Sequence, residues 1–484
     1  MNNKISLRNM IHCVLVLMSL TSLLTAYNNH LFQNLEFKYK YDDIMSDDNY
    51  SRNPAIFNVG VTQDYNFNTF YNGLIQNNYK RKFDPSMVRS YGASFFSYKI
   101  LDRKSTLATS VVIDWSKHYS EFASLEKNFY DHYFSFADST TGNTTYYGPR
   151  LWVLYQRKLT DKFISAFQIE YGIERGLKDV YTECMTIYRN VDVKSGLAYH
   201  SPDGSFVSGV YGRIFDRQGK YEAVEDLLDA INFTYIGYHV YRPESPRSSN
   251  NKSDRLTGYE SGLYFSKNNF VISGLRLRSS ILGGATESTI KTGSSSQPVR
   301  VGYWVRKAVN LENRLTYSIN VIRSEFGIIY NINNTSDWAK HGQFEVNLLD
   351  YNATTNELGI DLKMMPLRFI MIKIAYLSSS SDVDYDEYIA DFTFNEKLSS
   401  NQLFFNGNIK LNSISNLYIG YENSVCEPYF YWDTPEFKKT NIYLAWDRLF
   451  VFGRIGIRIN AGEWNPSNSG KDIEYFGFNL SLSK

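Results

Sequence analysis

The sequence predicts an all-β chain, a large antiparallel transmembrane β-barrel of roughly 16–22 strands behind an N-terminal signal peptide. Three observations carry that expectation: large apolar residues at every second position, an excess of aromatic residues with few prolines, and a short apolar run at the front of the chain.

The alternation is the primary signal. Phe163, Phe167, Ile169, Tyr171 and Ile173 alternate with Ile164, Ala166, Gln168, Glu170, Gly172 and Glu174. Leu107, Thr109, Val111, Ile113 and Trp115 stand against Ala108, Ser110, Val112, Asp114 and Ser116, and Val191, Val193, Leu197 and Tyr199 against Asp192, Lys194, Gly196 and His200. A period of two puts successive side chains on opposite faces of a strand, here one apolar and one polar. Tyr 39, Phe 32 and Trp 7 make 16% aromatic residues, against 11 prolines in 484 residues. That balance suits many strands with aromatic girdles at two membrane interfaces. The mean hydropathy of −0.36 fits as well, because half of each spanning strand faces water and hides the lipid face from any average.

At the N-terminus, Lys4 and Arg8 precede an apolar run from Ile11 to Leu24, and Leu24-Thr25-Ala26 offers a small residue for cleavage. The pattern reads as a signal peptide over 1–26. The run is shorter than the roughly 20 apolar residues a spanning helix needs, and Cys13 lies inside it rather than after it, against a lipoprotein. No later segment is apolar and long enough for a helical span, so insertion would have to use strands.

Residues 27–54 are polar and tyrosine-rich, with Asp42, Asp43, Asp47 and Asp48, and read as a periplasmic lead-in or small plug. Asn53-Pro54-Ala55 marks the boundary to an outer-membrane barrel over 55–484, whose candidate strands run from 55–64 through 105–116, 163–174, 187–200, 230–242, 314–331, 343–351 and 356–364 to 473–482. Short connections with turn chemistry, such as Asp102-Arg103-Lys104, Thr160-Asp161-Lys162, Pro202-Asp203-Gly204, Lys267-Asn268-Asn269 and the Pro366 turn, alternate with long ones such as 117–146, 216–229, 243–256 and 282–298. Short periplasmic turns and long outer loops are the outer-membrane arrangement, but the alternation breaks between 216 and 298. Within that break Val224, Leu227, Leu228 and Ile231 have helical spacing, which suggests a short loop helix.

Charge and motifs exclude more than they assign. Lys+Arg 51 against Asp+Glu 50 leaves a net charge of +1, with no basic stripe for nucleic acid. The seven histidines show no metal-ligand spacing, and no cofactor motif is present. His118 with Ser120 suggests the alternative of a barrel lipase or protease acting at the outer rim, but sequence proximity alone supplies no catalytic geometry. Asp114, Gln168, Glu170, Glu174, Asp192, Lys194, Asp361, Lys363, Arg454 and Arg458 fall on faces assigned to the lumen, since an Arg or Lys against lipid costs about 2–4 kcal/mol at the midplane. They suit either a polar, selective channel or a salt-bridged filling of a closed barrel. Cys184 and Cys426 are the thiols left after processing and form a candidate disulfide in an oxidising compartment.

The Asn53-Pro54-Ala55 entry, the aromatic strands and the leader resemble outer-membrane barrels of the fatty-acid-transporter and porin-like kind, many of which open with such a segment. Across 47–480 the texture is similar to a family of outer-membrane barrels known by a domain-of-unknown-function label. With the lumen charges and the lack of a nucleophile, base and orienter set, the leading reading is a non-enzymatic barrel of the Gram-negative outer membrane, either a channel or transporter for a polar solute or the membrane scaffold of a surface assembly, and the alternative is the barrel enzyme at the outer rim. The implied partners are outer-membrane lipid, the barrel-assembly machinery and a surface or periplasmic protein. One departure is the C-terminus, Leu480-Ser481-Leu482-Ser483-Lys484, where such barrels commonly end on an aromatic residue.

Overall fold

A computed structural model describes residues 52–56, 65–75, 82–124, 126–127, 133–180, 184–222, 232–236, 240–244, 251–292, 299–319, 323–426, 437–466 and 473–483. The wall begins with β1 (Tyr65–Ile75), β2 (Met87–Ile100), β3 (Ser105–Ser124), β4 (Phe134–Lys158), β5 (Phe163–Lys178), β6 (Met185–His200) and β7 (Phe206–Glu222). A hairpin of β8 (Asn232–Ile236) and β9 (Val240–Glu244) follows. The wall resumes with β10 (Asn251–Asn268), β11 (Leu275–Thr292), β12 (Val299–Ile319), β13 (Ser324–His341), β14 (Asn347–Leu367) and β15 (Ile370–Glu387), and ends with β16 (Phe392–Asn412), β17 (Ser415–Cys426), β18 (Phe437–Phe450), β19 (Gly453–Pro466) and β20 (Ile473–Ser483).

Each wall strand pairs antiparallel with its neighbours, and β7 pairs with β10 across the hairpin. β1 pairs with both β2 and β20, Thr69 lying opposite Ala93 on one side and Leu480 on the other. Leaving out β8 and β9, the result is a closed barrel of 18 strands. Closure gives each wall strand a partner on both sides, which lets its backbone polar groups pair inside the wall.

The faces follow the alternation. On β5, Phe163, Phe167, Ile169 and Tyr171 are exposed on the outside while Ala166 and Gln168 are buried on the inside. Phe95, Val111, Ile113, Leu151, Ile214 and Leu263 extend the outer belt onto neighbouring strands. Outward aromatic pairs sit near its two rims, Phe163 with Tyr199 and Tyr91 with Trp115, their ring centroids 5.2 and 5.5 Å apart.

Several boundaries differ from the sequence expectation for identifiable reasons. Ala55 and Ile56 lie in a turn, because the Asn53 side chain and carbonyl take their N–H groups, and the first described wall strand starts at Tyr65. The run 314–331 divides between β12 and β13 at a connection where Arg323 takes φ 49°. Runs 343–351 and 356–364 join into the single strand β14. The expected long loop 117–146 is largely strand, since β3 and β4 are 20 and 25 residues long, about twice the 9–11 residues that span a membrane.

The run 230–242 is no wall strand. It supplies β8 and β9, and β8 pairs with Phe134–Asp138 of β4, which accounts for the broken loop alternation. The proposed loop helix falls mainly on 223–231, outside the described residues, as do the signal peptide and most of the lead-in.

Candidate functional site

The lumen is entered by chain at both ends, and the wall was built to receive it. At the end carrying the short turns, Arg52–Ile56 lie inside the barrel. Asn53 is buried and its Nδ2 donates to the carbonyls of Leu197 and Val210 at 3.2 and 3.0 Å, two residues that face each other across β6 and β7. The Ala55 N–H donates back to Asn53 Oδ1 at 2.9 Å, and Gln156 donates to the Pro54 carbonyl at 2.7 Å. Ala55 packs into a patch of small inward residues with Ala108, Ala166 and Ala198. A Cβ on Gly196 would stand 2.0 Å from Asn53 Oδ1, and one on Gly209 2.6 Å from its Nδ2, so the seat exists because both wall residues lack side chains. Arg52 reaches across to Glu260 on β10 at 2.9 Å.

The opposite end is filled by apolar side chains. The β3–β4 ladder shifts register after His118 and again after Phe122, with Ser120 at φ 49°. This frees the first residues of β4 to leave the wall. Tyr133, Phe134, Phe136 and Ala137 are buried in one cluster with Trp304, Ala339, Leu349, Val383, Tyr385 and Phe394, which come from β12 to β16. The Tyr133 hydroxyl donates to the Leu348 carbonyl and to Glu387 at 3.3 and 3.4 Å. Phe134 lies over Gly302 of β12, where a Cβ would meet its ring at 2.2 Å. At the same end Lys178 and Asp138 form a fully buried ion pair of 2.8 Å.

Between these layers a cavity of about 480 Å³ opens against the β2–β6 arc of the wall, with Arg52, Phe96, Arg150, Trp152, Gln168, Glu170 and Lys194 among its lining residues. Asp114 lies at its margin, 3.3 Å from Arg150. Asp192, beside Glu170 in the register, is held by Arg213 at 2.6 Å. Glu174 bonds Lys127 nearer the outer layer. The remaining sequence candidates sit on other arcs of the inner face: Asp361 bonds Arg314 at 2.7 Å, Lys363 bonds Glu325 at 3.2 Å, Arg454 bonds Asp447 at 2.7 Å and Arg458 lies 4.4 Å from the Tyr443 ring. The cavity thus brings together Gln168, Glu170 and Lys194, with Asp114 and Asp192 adjoining through their arginines.

Arg150, Arg213, Arg314 and the Arg306–Asp337 pair were missed. Their signal was available, because each follows the inward parity of its strand, but a partner on the next strand is invisible until register is known. Cys184 is buried under Tyr188 and Tyr221 in the outer layer, while the Cys426 side chain lies outside the described residues. His118 is buried and paired with Glu121 at 3.4 Å. Ser120, by contrast, is exposed, with its N–H capped by Asn143. No metal-binding cluster occurs among the described residues.

A closed wall with an apolar outer belt, a polar and charged interior entered by chain at both ends, and short turns at one of those ends defines an integral β-barrel of the outer membrane. No family model matches the chain, and no curated protein matches it in sequence. Among solved structures it is similar to the outer membrane transporter YddB from Escherichia coli, at 7% identity over 86% of this chain and 80% of that one, with a TM-score of 0.43. The alcaligin outer membrane receptor FauA from Bordetella pertussis is similar at 10% identity over 86% and 76%, with a TM-score of 0.47. The toluene transporter TodX from Pseudomonas putida is similar at 10% identity over 90% and 92%, with a TM-score of 0.32. Likeness at this level says nothing about what this chain carries.

Proposed function

We propose that the barrel is a gated, non-enzymatic conduit for a small polar or charged solute, closed in the form described here. The observation that carries this reading is the charged cavity held between two inserted layers. A solute reaching it from either side has left bulk water for a site of fixed charges, whose field is strengthened by walls of low dielectric. The inner layer, Arg52–Ile56, is seated by the Asn53 and Gln156 amide hydrogen bonds, the Arg52–Glu260 pair and small-residue packing, none of which belongs to the wall's own backbone ladder.

Planar-bilayer recording tests the proposal. Sparse openings are expected from the unaltered protein, and Glu170→Gln combined with Asp192→Asn should move the ion preference toward anions, since Arg213 then loses its counter-charge. Absence of conductance from this protein and from variants lacking either inserted layer would reject it. A membrane scaffold is the second reading, favoured by the apolar cluster that fills the outer mouth, and it expects that silent outcome.

The same reading includes cleavage after Ala26, so that the mature protein begins at Tyr27, and delivery to lipid by the barrel-assembly machinery. Mass spectrometry of the purified membrane protein checks the first point, and an intact Met1 would overturn it.

A further inference from the structure

Most charges facing the lumen are paired, and the cavity departs from that rule in two places. Arg52, Arg150 and Asp192 are committed to Glu260, Asp114 and Arg213. Glu170 and Lys194 form neither an ion pair nor a side-chain hydrogen bond among the described residues, although both line the cavity. The register explains why. Glu170 lies opposite Asp192, and Lys194 lies opposite Gln168 on one side and Arg213 on the other. The two are therefore diagonal neighbours, at a spacing of roughly 7–8 Å that their side chains need not close. Gln168 beside them is nine-tenths buried, lines the same cavity and likewise has no hydrogen-bond partner among the described residues. Beyond Glu170, on the same cross-strand row, Trp152 and then Ser110 and Phe96 continue the wall, the two rings 6.2 Å apart.

We propose that this cavity binds a small zwitterion with an apolar or aromatic body, of the chemical class of free amino acids and dipeptides. This deepens the conduit reading by naming what its central site takes. Lys194 faces the solute's carboxylate, Glu170 its ammonium group, and Gln168 can donate to one and accept from the other. Trp152 and Phe96 offer the surface for the body of the solute. A neutral sugar would leave both charges without a hydrogen-bonded counter-charge in a site partly removed from water, and a simple ion would supply only one. The volume suits one or two residues, within the range of roughly 300–1,000 Å³ usual for small-molecule sites.

Isothermal titration calorimetry on the folded full chain in detergent tests this with L-phenylalanine, N-acetyl-L-phenylalanine, L-phenylalaninamide and maltose, heat-modifiable migration confirming the fold of each variant. Phenylalanine should bind saturably, and capping either end should weaken binding about tenfold, as expected for loss of a charge-assisted hydrogen bond. Glu170→Gln should erase the penalty for the acetylated probe alone. Lys194→Met should erase the penalty for the amide alone. No binding of phenylalanine, binding of either capped probe as tight as that of phenylalanine, stronger binding of maltose, or unchanged selectivity in both variants would overturn the assignment. Binding without conductance in any variant would reject only the conduit, and conductance without binding would reject only the zwitterion site.

Discussion

Asn53 holds the inner layer with one side-chain amide, bridging the carbonyls of two strands that already bond each other. Each such bond contributes about 0.5–1.5 kcal/mol, to which the Gln156–Pro54 hydrogen bond and the Arg52–Glu260 pair add. Gly196→Leu removes the space that Asn53 Oδ1 occupies. It should expel Arg52–Ile56 and raise the frequency of channel opening in bilayer recordings, while heat-modifiable folding stays intact. Gly212→Ala, at a position with nothing within 4 Å of the added methyl, is the matched control and should change neither. The β6–β7 turn carries a second residue-scale prediction. Hydrogen bonds from Ser201 and Ser205 hold the Asp203 carboxyl down to about 2. A depressed folded value means the turn gains stability above the ordinary carboxyl range and loses it as pH falls through about 2. Hydrogen exchange at the Ser205 amide should therefore accelerate in that window, and Asp203→Asn should flatten the dependence. Asn53-Pro54-Ala55 stood out in the sequence as the start of a strand, whereas Ala55 and Ile56 form a turn inside the lumen. Its seat was not legible there, because Gly196 and Gly209 lie about 150 residues away and nothing local marks a glycine that will face another segment.

At the scale of the element, β5 shows why alternation was enough to orient the wall there. Phe167, Ile169 and Tyr171 are exposed and Gln168 is buried, because one face must meet lipid and the other the lumen. Ile169→Arg should cost about 2–4 kcal/mol if the residue lies near the midplane, measured as a shift in urea-induced unfolding in lipid vesicles. Gln168→Arg should be mild, and equal losses at both positions would reject the orientation. Alternation failed where a strand serves two purposes. β4 is a wall strand from Thr144 onward, paired with β3 and β5, yet its first five residues pair with β8. The hairpin β8–β9 carries the same β-signature as the wall, so sequence periodicity cannot tell insertion from lining. The bulges after His118 and Phe122 decide the matter, and bulges have no reliable one-dimensional signal.

For the whole molecule, the two closures differ in chemistry and should differ in how they open. The inner one rests on side-chain amide hydrogen bonds, the Arg52–Glu260 ion pair and a small-residue seat, the outer one on a cluster of large apolar and aromatic side chains. Replacing both Tyr133 and Phe134 with Ala removes the two rings that reach β12 and β14. It should cost several kcal/mol, on the scale of about 3–5 for a buried aromatic truncation, and give larger and more frequent openings than the unaltered protein. A variant that unfolds no more easily and conducts no better would show that these rings do not close the mouth.

The amino-acid sequence by itself determined the all-β class, the barrel, the lipid-facing belt and the parity that turns charged residues inward. These follow from a local rule, that neighbouring side chains on a strand point to opposite solvents, which any stretch of ten residues displays. The closed count of 18 strands, the ion-pair partners, the lack of a direct ion pair for Glu170 and Lys194 among the described residues, and the two inserted layers were decided only by tertiary structure. Each depends on register between strands or on where a loop finds room. Both are set by packing between residues tens to hundreds of positions apart, which no local pattern records.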